Sequence, residues 1–191
     1  MKRRAAILQA ARTVFASQGY AETVVEDIAA QAGIGKGTLY LYFPSKEQIY
    51  FAALLDDARR LDKETREAMS SAATWREAVG AYVMVRLRYL AEHGDFLRIF
   101  LTELRSMCML GRPLNGELFR LVEDGEAQLA QVFAAAVARG EIRPVDPELA
   151  AMTVSDLTRG LMERRLREWG RSFDPHDAEF ALDLLYRGLK Q

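Results

Sequence analysis

Residues 23–42 read TVVEDIAAQAGIGKGTLYLY, and the fold turns on this stretch. Ile28, Ala29 and Ala32 fall at i, i+1 and i+4, one apolar stripe at helical spacing. Gly33 follows directly, the residue type that ends a helix in a left-handed conformation without strain. The pattern predicts one helix from Val25 to Ala32 and a second from Lys36 to Tyr42. Ile34 is apolar although it sits in the turn, as expected of a residue that plugs the angle between two helices. Ala29 has almost no side chain, so the second helix can cross close over the first. This is the design of a helix-turn-helix, whose second helix enters the DNA major groove.

The longer segment 19–47, GYAETVVEDIAAQAGIGKGTLYLYFPSKE, closely resembles the DNA-binding domain of TetR-family transcriptional regulators. The likeness is carried by the aromatic after Gly19, Asp27-Ile28-Ala29, the turn, Gly37-Thr38-Leu39-Tyr40, Tyr42-Phe43 and Ser45-Lys46-Glu47. It covers about the first quarter of the chain; beyond it, the likeness is one of length and helical character only. The resemblance implies that Lys36 and Gly37 face base edges and that Thr38 meets a phosphate or a base. Gly37 would permit close backbone approach. Tyr40 and Tyr42 would offer hydroxyls to phosphates, and Lys46, at a helix start, would meet another. Tyr40 also suits core packing, as do Leu39 and Phe43. Two positions depart from the family pattern. Val24 stands where Ser or Thr usually caps the first helix, leaving Thr23 as the candidate cap and phosphate contact. Gly35 stands where Ser commonly caps the recognition helix, and offers no hydroxyl.

Working outward, residues 4–18 predict a first helix with Ile7, Leu8, Ala11, Val14 and Phe15 on its buried side, stopped at Gly19. Pro44-Ser45-Lys46-Glu47-Gln48 opens a helix to about Ser70 through a Ser…Gln capping box. Thr74-Trp75-Arg76-Glu77 is a second box, opening a helix to about Glu92. A shorter helix is expected over 96–109 and a long one from Asn115 to Arg139, before Gly140. Asp146-Pro147 and Asp174-Pro175 place a cap before proline at the first helical position, opening helices over about 147–169 and 175–189. No segment alternates as a strand would. The expectation is an all-α protein of about nine helices. A helix-turn-helix domain occupies 1–48 and a helical effector-binding and dimerisation domain 49–191, with Ser70-Ser71 as the clearest break in the pattern.

Composition narrows the function. The chain has 191 residues, half of them hydrophobic, and a net charge of −1. Residues 1–50 hold six Lys/Arg against four Asp/Glu, a balance of +2, so the remainder carries −3. That asymmetry has the sign of a nucleic-acid head and is small. Lys2, Arg3 and Arg4 could reach DNA backbone or serve as a solvated terminus. The single Cys108 excludes an internal disulfide and fits a reducing, cytoplasmic location. No apolar run is long enough to span a membrane. His93 and His176 are isolated, and there is no His-Glu-x-x-His, paired-Cys motif or nucleophile elbow, so neither an enzyme, a metal site nor a cofactor is expected. Residues 33–38 look like a fragment of a phosphate-binding loop but lack its spacer, its Gly-Lys-Ser/Thr ending and a preceding strand.

A DNA head needs only about fifty residues, so the rest of the chain has other work. A palindrome-reading helix-turn-helix acts as a two-fold dimer. Leu149, Met152, Leu157 and Leu161, then Phe180, Leu184, Leu185 and Leu189, lie at helical spacing on the last two helices. In the family the corresponding helices form a four-helix dimer interface. Tyr82, Leu87, Phe96, Phe100, Met107, Met109, Leu118, Leu121 and Val122 are candidates to line a pocket for a small effector, although apolar residues at this spacing also serve as plain core. Residues 102–105, TELR, resemble TetR-type repressors of fatty-acid metabolism, which implies a lipophilic, acyl-CoA-like effector. The function expected is a repressor, a homodimer on palindromic double-stranded DNA, released by such an effector. The alternative is a helical protein–protein module with a degenerate DNA-binding head.

Overall fold

The computed structural model describes residues 2–93, 116–167 and 175–190, among which there are eight α-helices and no strand. They are α1 (Lys2–Glu22), α2 (Val25–Gln31), α3 (Lys36–Tyr42), α4 (Lys46–Ser70), α5 (Trp75–Glu92), α6 (Gly116–Ala138), α7 (Pro147–Arg167) and α8 (Pro175–Gly188). The helix expected over 96–109 lies outside the described residues. So do Phe96, Phe100, Met107, Cys108 and Met109.

The chain divides into two compact units, and the division falls inside α4, between Ala58 and Arg59. The first unit is built on α1, α2, α3 and the first half of α4. α1 buries Ile7, Leu8, Ala10, Ala11, Val14 and Phe15. Its backbone leaves the helical region at Gly19, with φ 81° and ψ 165°, and a last turn continues to Glu22. Ile28 and Leu39 are completely buried, as is Ile49 of α4. Tyr50 sets its ring 5.2 Å from Phe15 and 4.7 Å from Tyr20. Arg12 joins α1 to α4 through ion pairs with Asp56 and, at 2.6 Å, with Asp57.

The turn between α2 and α3 is a Schellman motif. Gly33 has φ 66°. Its N–H donates to Ala30 at 3.0 Å and the Ile34 N–H donates to Ala29 at 2.9 Å. The same closure recurs after α6, where Gly140 has φ 68° and Gly140 and Glu141 donate to Val137 and Ala136.

The second unit begins with Arg59 of α4 and includes α5, α6 from Leu118 onward, α7 and α8. Val79, Tyr82 and Val83 of α5, Leu129 and Phe133 of α6, Ala151 and Val154 of α7, and Ala178 and Ala181 of α8 are buried. Trp75 opens α5 and meets Phe133 and Tyr186 with ring centroids 6.5 and 5.4 Å apart. The capping signals at Ser45, Thr74 and Asp146 act as expected, while Asp174 lies outside the described residues. Thr74 accepts from the Glu77 N–H at 3.2 Å, and Glu77 returns to the Ala73 N–H at 2.8 Å. Asp146 accepts from Glu148 and Leu149 at 2.9 and 3.0 Å. Ser45 accepts from Gln48 at 3.2 Å. No described helix is long and apolar enough to cross a membrane.

Candidate nucleic-acid interface

Seven residues are enough for α3 because it is anchored at one point. Leu39 is fully buried, and Phe43, just past the helix, is 4 % exposed. The other side of α3 faces solvent. Lys36, Gly37, Tyr40, Leu41 and Tyr42 are all exposed and Thr38 is half-buried. Tyr40 and Tyr42 each keep 41 % of their surface, so the core alternative for Tyr40 gives way to a surface position. The structure therefore gathers Lys36, Gly37, Thr38, Tyr40 and Tyr42 on one short helix, with hydroxyl, ammonium and bare backbone available together.

Leu41 is 85 % exposed and belongs to this surface, although no polar chemistry marked it. Its helical angle did: two residues beyond the buried Leu39 is about 200° of rotation, the opposite face. An exposed leucine beside hydroxyls suits contact with a thymine methyl.

Lys36 forms an ion pair with Glu26 at the start of α2, and its ammonium lies 5.9 Å from the Tyr40 ring centre. The bond to Lys36 lowers the Glu26 carboxyl below its ordinary range and raises the Lys36 ammonium. Both side chains are more than half exposed, so water weakens the pair. Lys36 is thus held only loosely at the surface.

Thr23 requires a correction. It was expected to cap α2 and touch a phosphate, yet it is 1 % exposed and its hydroxyl donates to the Gly19 carbonyl at 2.6 Å. The same carbonyl also accepts the Thr23 N–H at 3.3 Å, so both donors of Thr23 turn inward to Gly19 and neither is offered to a phosphate. Val24 is the residue at the α2 cap, 50 % exposed and without a side-chain hydrogen bond. Gly35 caps α3 by its extended backbone alone, with φ −72° and ψ 149°.

Lys46 has an internal occupation. Its ammonium donates to the carbonyls of Tyr20, Ala21 and Thr23 at 2.7, 3.2 and 2.9 Å, and lies 4.5 Å from the Tyr20 ring centre. Three acceptors satisfy its three protons. The first two are carbonyls at the end of α1, where a helix carries partial negative charge, and the third lies just beyond it. Meeting a phosphate would require Lys46 to loosen one of them. Lys2, Arg3 and Arg4 form the exposed first turn of α1, with the Arg4 guanidinium 5.2 Å from the Phe43 ring centre.

In the second unit, Leu149, Met152, Phe180 and Leu184 keep 57, 46, 71 and 65 % of their surface, while Leu157, Leu161 and Leu185 are half-buried. Leu189, placed with them by its spacing, is instead core at 7 % exposure. Of the expected pocket residues, Tyr82, Leu87 and Leu118 are buried, and Leu121 and Val122 half-buried. An open groove of about 1110 Å³ between α6 and α7 is lined by other residues, among them Glu123, Glu126, Glu148, Leu149 and Met152.

Comparison with known proteins agrees with this geometry. Residues 7–53 match the model of "bacterial regulatory proteins, tetR family", and residues 80–179 that of "AefR-like transcriptional repressor, C-terminal domain". The chain is 33 % identical over 150 residues to the HTH-type transcriptional regulator RutR of Escherichia coli K12, covering 76 % of this chain and 67 % of RutR. It shares its fold with the transcriptional regulator FadR of Bacillus subtilis, solved in complex with stearoyl-CoA. There the TM-score is 0.83 at 23 % identity, over 96 % of this chain and 98 % of that one. AibR, solved with isovaleryl coenzyme A and operator DNA, matches with a TM-score of 0.73 at 23 % identity, over 96 % and 98 % of the two chains. A helix-turn-helix with its reading face in water, followed by a helical body matching the family's own C-terminal domain, leads to one assignment: this chain is a DNA-binding transcriptional regulator of the TetR family.

Proposed function

We propose that the protein is a homodimeric repressor that reads a palindromic operator with Lys36, Gly37, Thr38, Tyr40 and Tyr42, and that a small lipophilic effector of the acyl-CoA kind releases it. The observation that carries the DNA reading is the two-sided character of α3: Leu39 is fully buried while the polar residues around it stay in water. The clustered Lys2, Arg3 and Arg4 support it. Positive charge at a helix N-terminus opposes the helix dipole, a cost that a nearby polyanion offsets. The dimer reading is supported by Leu149, Met152, Phe180 and Leu184, apolar side chains left in solvent on α7 and α8. The repressor and effector readings lean on the relatives: a C-terminal model named for a repressor, and fold neighbours holding stearoyl-CoA or isovaleryl coenzyme A. In this mechanism the effector binds better to a dimer state whose two α3 helices are wrongly spaced for the operator, so occupancy lowers DNA affinity reciprocally.

The test is fluorescence anisotropy with DNA from upstream of the protein's own gene, across salt concentrations, followed by titration of long-chain acyl-CoAs. Tight, salt-sensitive binding that micromolar acyl-CoA reverses is the expected result. Binding that persists at saturating acyl-CoA would remove the acyl-CoA part and leave the operator reading standing.

A further inference from the structure

Arg86 of α5 is partly buried within the second unit. Its guanidinium carbon sits 3.6 Å from the Tyr82 ring centre, and Nη1 donates to the Thr65 hydroxyl at 3.0 Å. Thr65 gives its own proton to the Leu61 carbonyl at 2.7 Å, so it offers Arg86 a neutral lone pair. That bond uses one of five N–H donors. Among the described residues no carboxylate forms an ion pair with Arg86; Glu126 acts on it only at longer range. Burial is the largest influence on its pKa, which it lowers, although the residue keeps some accessible surface. The side chain is thus closely packed by Tyr82 and Thr65 and still keeps part of its surface accessible.

The facing helix is shaped around it. A Cβ at Gly125 would stand 3.1 Å from Nη2, so any side chain there would crowd the guanidinium. Leu118, Leu121, Val122 and Gly125 follow at i, i+3, i+4 and i+7, one face of α6. That face is apolar over its first turns and bare beside the charge. A partly buried guanidinium held, among the described residues, by a ring and one hydroxyl is costly, and its planar fork matches carboxylate and phosphate oxygens.

We propose that Arg86 is the anchor for an anionic group of the effector, its carboxylate or phosphate oxygens meeting the guanidinium beside Gly125 while an apolar body lies along Leu118, Leu121 and Val122. This rests on reading the second unit as the effector domain, and it adds the residue that would hold the effector's negative charge. Tyr82 orients the fork through its ring, and its hydroxyl is itself tied to Ser155 at 3.4 Å.

Calorimetry on the full chain with dodecanoate, dodecanoyl-CoA and dodecanol tests it. At least one anionic probe should bind roughly tenfold or more tightly than dodecanol. Arg86→Gln should lose that advantage, and Arg86→Lys should keep part of it. Preference for dodecanoate assigns the anchor to a carboxylate, and preference for the CoA ester assigns it to phosphate. Equal binding of dodecanol, unchanged binding by Arg86→Gln, or no binding of either anion to the wild type would overturn the proposal. Thermal unfolding without ligand supplies a second reading. Arg86→Met should raise Tm, because an apolar side chain relieves the buried charge; a lowered Tm would mark Arg86 as structural and overturn the assignment. Operator affinity of the wild type without ligand is measured in parallel. A wild type that binds no operator would instead defeat the regulator reading and leave the anion site to the calorimetry.

Discussion

Two surfaces of this protein leave in water what a chain on its own would do better without, and they differ in kind. On α3 the exposed set mixes an ammonium, two phenols, bare glycine backbone and one leucine. On α7 and α8 it is aliphatic and aromatic: Leu149, Met152, Phe180 and Leu184. The first suits a partner rich in charge and hydrogen-bonding edges; the second suits another apolar surface. The contrast teaches that exposure alone says little, and that the chemistry of the exposed atoms selects the partner.

The comparison is broken most forcefully from the apolar side. Phe180→Glu with Leu184→Glu should convert the proposed dimer to a monomer in sedimentation velocity and abolish operator binding; a variant that stays dimeric would remove that face from the interface. Next, Lys36→Ala with Tyr42→Ala should cost operator affinity roughly tenfold or more and flatten the salt dependence by about one unit of slope for the lost ammonium. Tm should not move, since both side chains are exposed. If the salt slope is unchanged, Lys36 does not meet phosphate. Gly37→Ala sharpens the test. A Cβ there finds nothing within 4 Å inside the protein, and alanine favours helix by about 0.5–1 kcal/mol. Tm should therefore hold or rise while operator affinity falls several-fold; unchanged affinity would mean that the backbone does not approach the groove.

The smaller predictions concern the frame that presents α3. Lys46→Met leaves three carbonyls at and just beyond the end of α1 without their donor. It should destabilise the protein by about 1–2 kcal/mol in urea unfolding. A loss of operator affinity without that destabilisation would instead mark Lys46 as a phosphate ligand. Val24→Thr supplies the cap that α2 lacks and should stabilise by about 0.5–1 kcal/mol, read by the same melt.

What was legible in advance follows the range of the forces involved. The bounds of α2 and α3 could be read because Gly33 and the spacing of Ile28, Ala29 and Leu39 act within a few residues. The caps at Ser45, Thr74 and Asp146 were legible for the same reason. Thr23 was misread because its hydroxyl turns inward to the Gly19 carbonyl, four residues earlier, and spacing does not show which way a hydroxyl turns. Leu189 was grouped with the surface stripe because periodicity places residues on a face without saying what covers it.

The sequence by itself determined an all-α chain, the ends of α2 and α3 to within a residue, and a helix-turn-helix whose second helix carries Lys36, Gly37, Thr38, Tyr40 and Tyr42. These are consequences of backbone geometry, capping and amphipathic period, each closed within one or two turns. Only the tertiary structure decided that Arg12 spends its charge on Asp56 and Asp57, that Lys46 closes the end of α1, and that Arg86 stands over Tyr82 beside Gly125. Those pairings join residues far apart in the chain. Which polar group meets which depends on how helices pack, and packing is settled by the shape of the whole core.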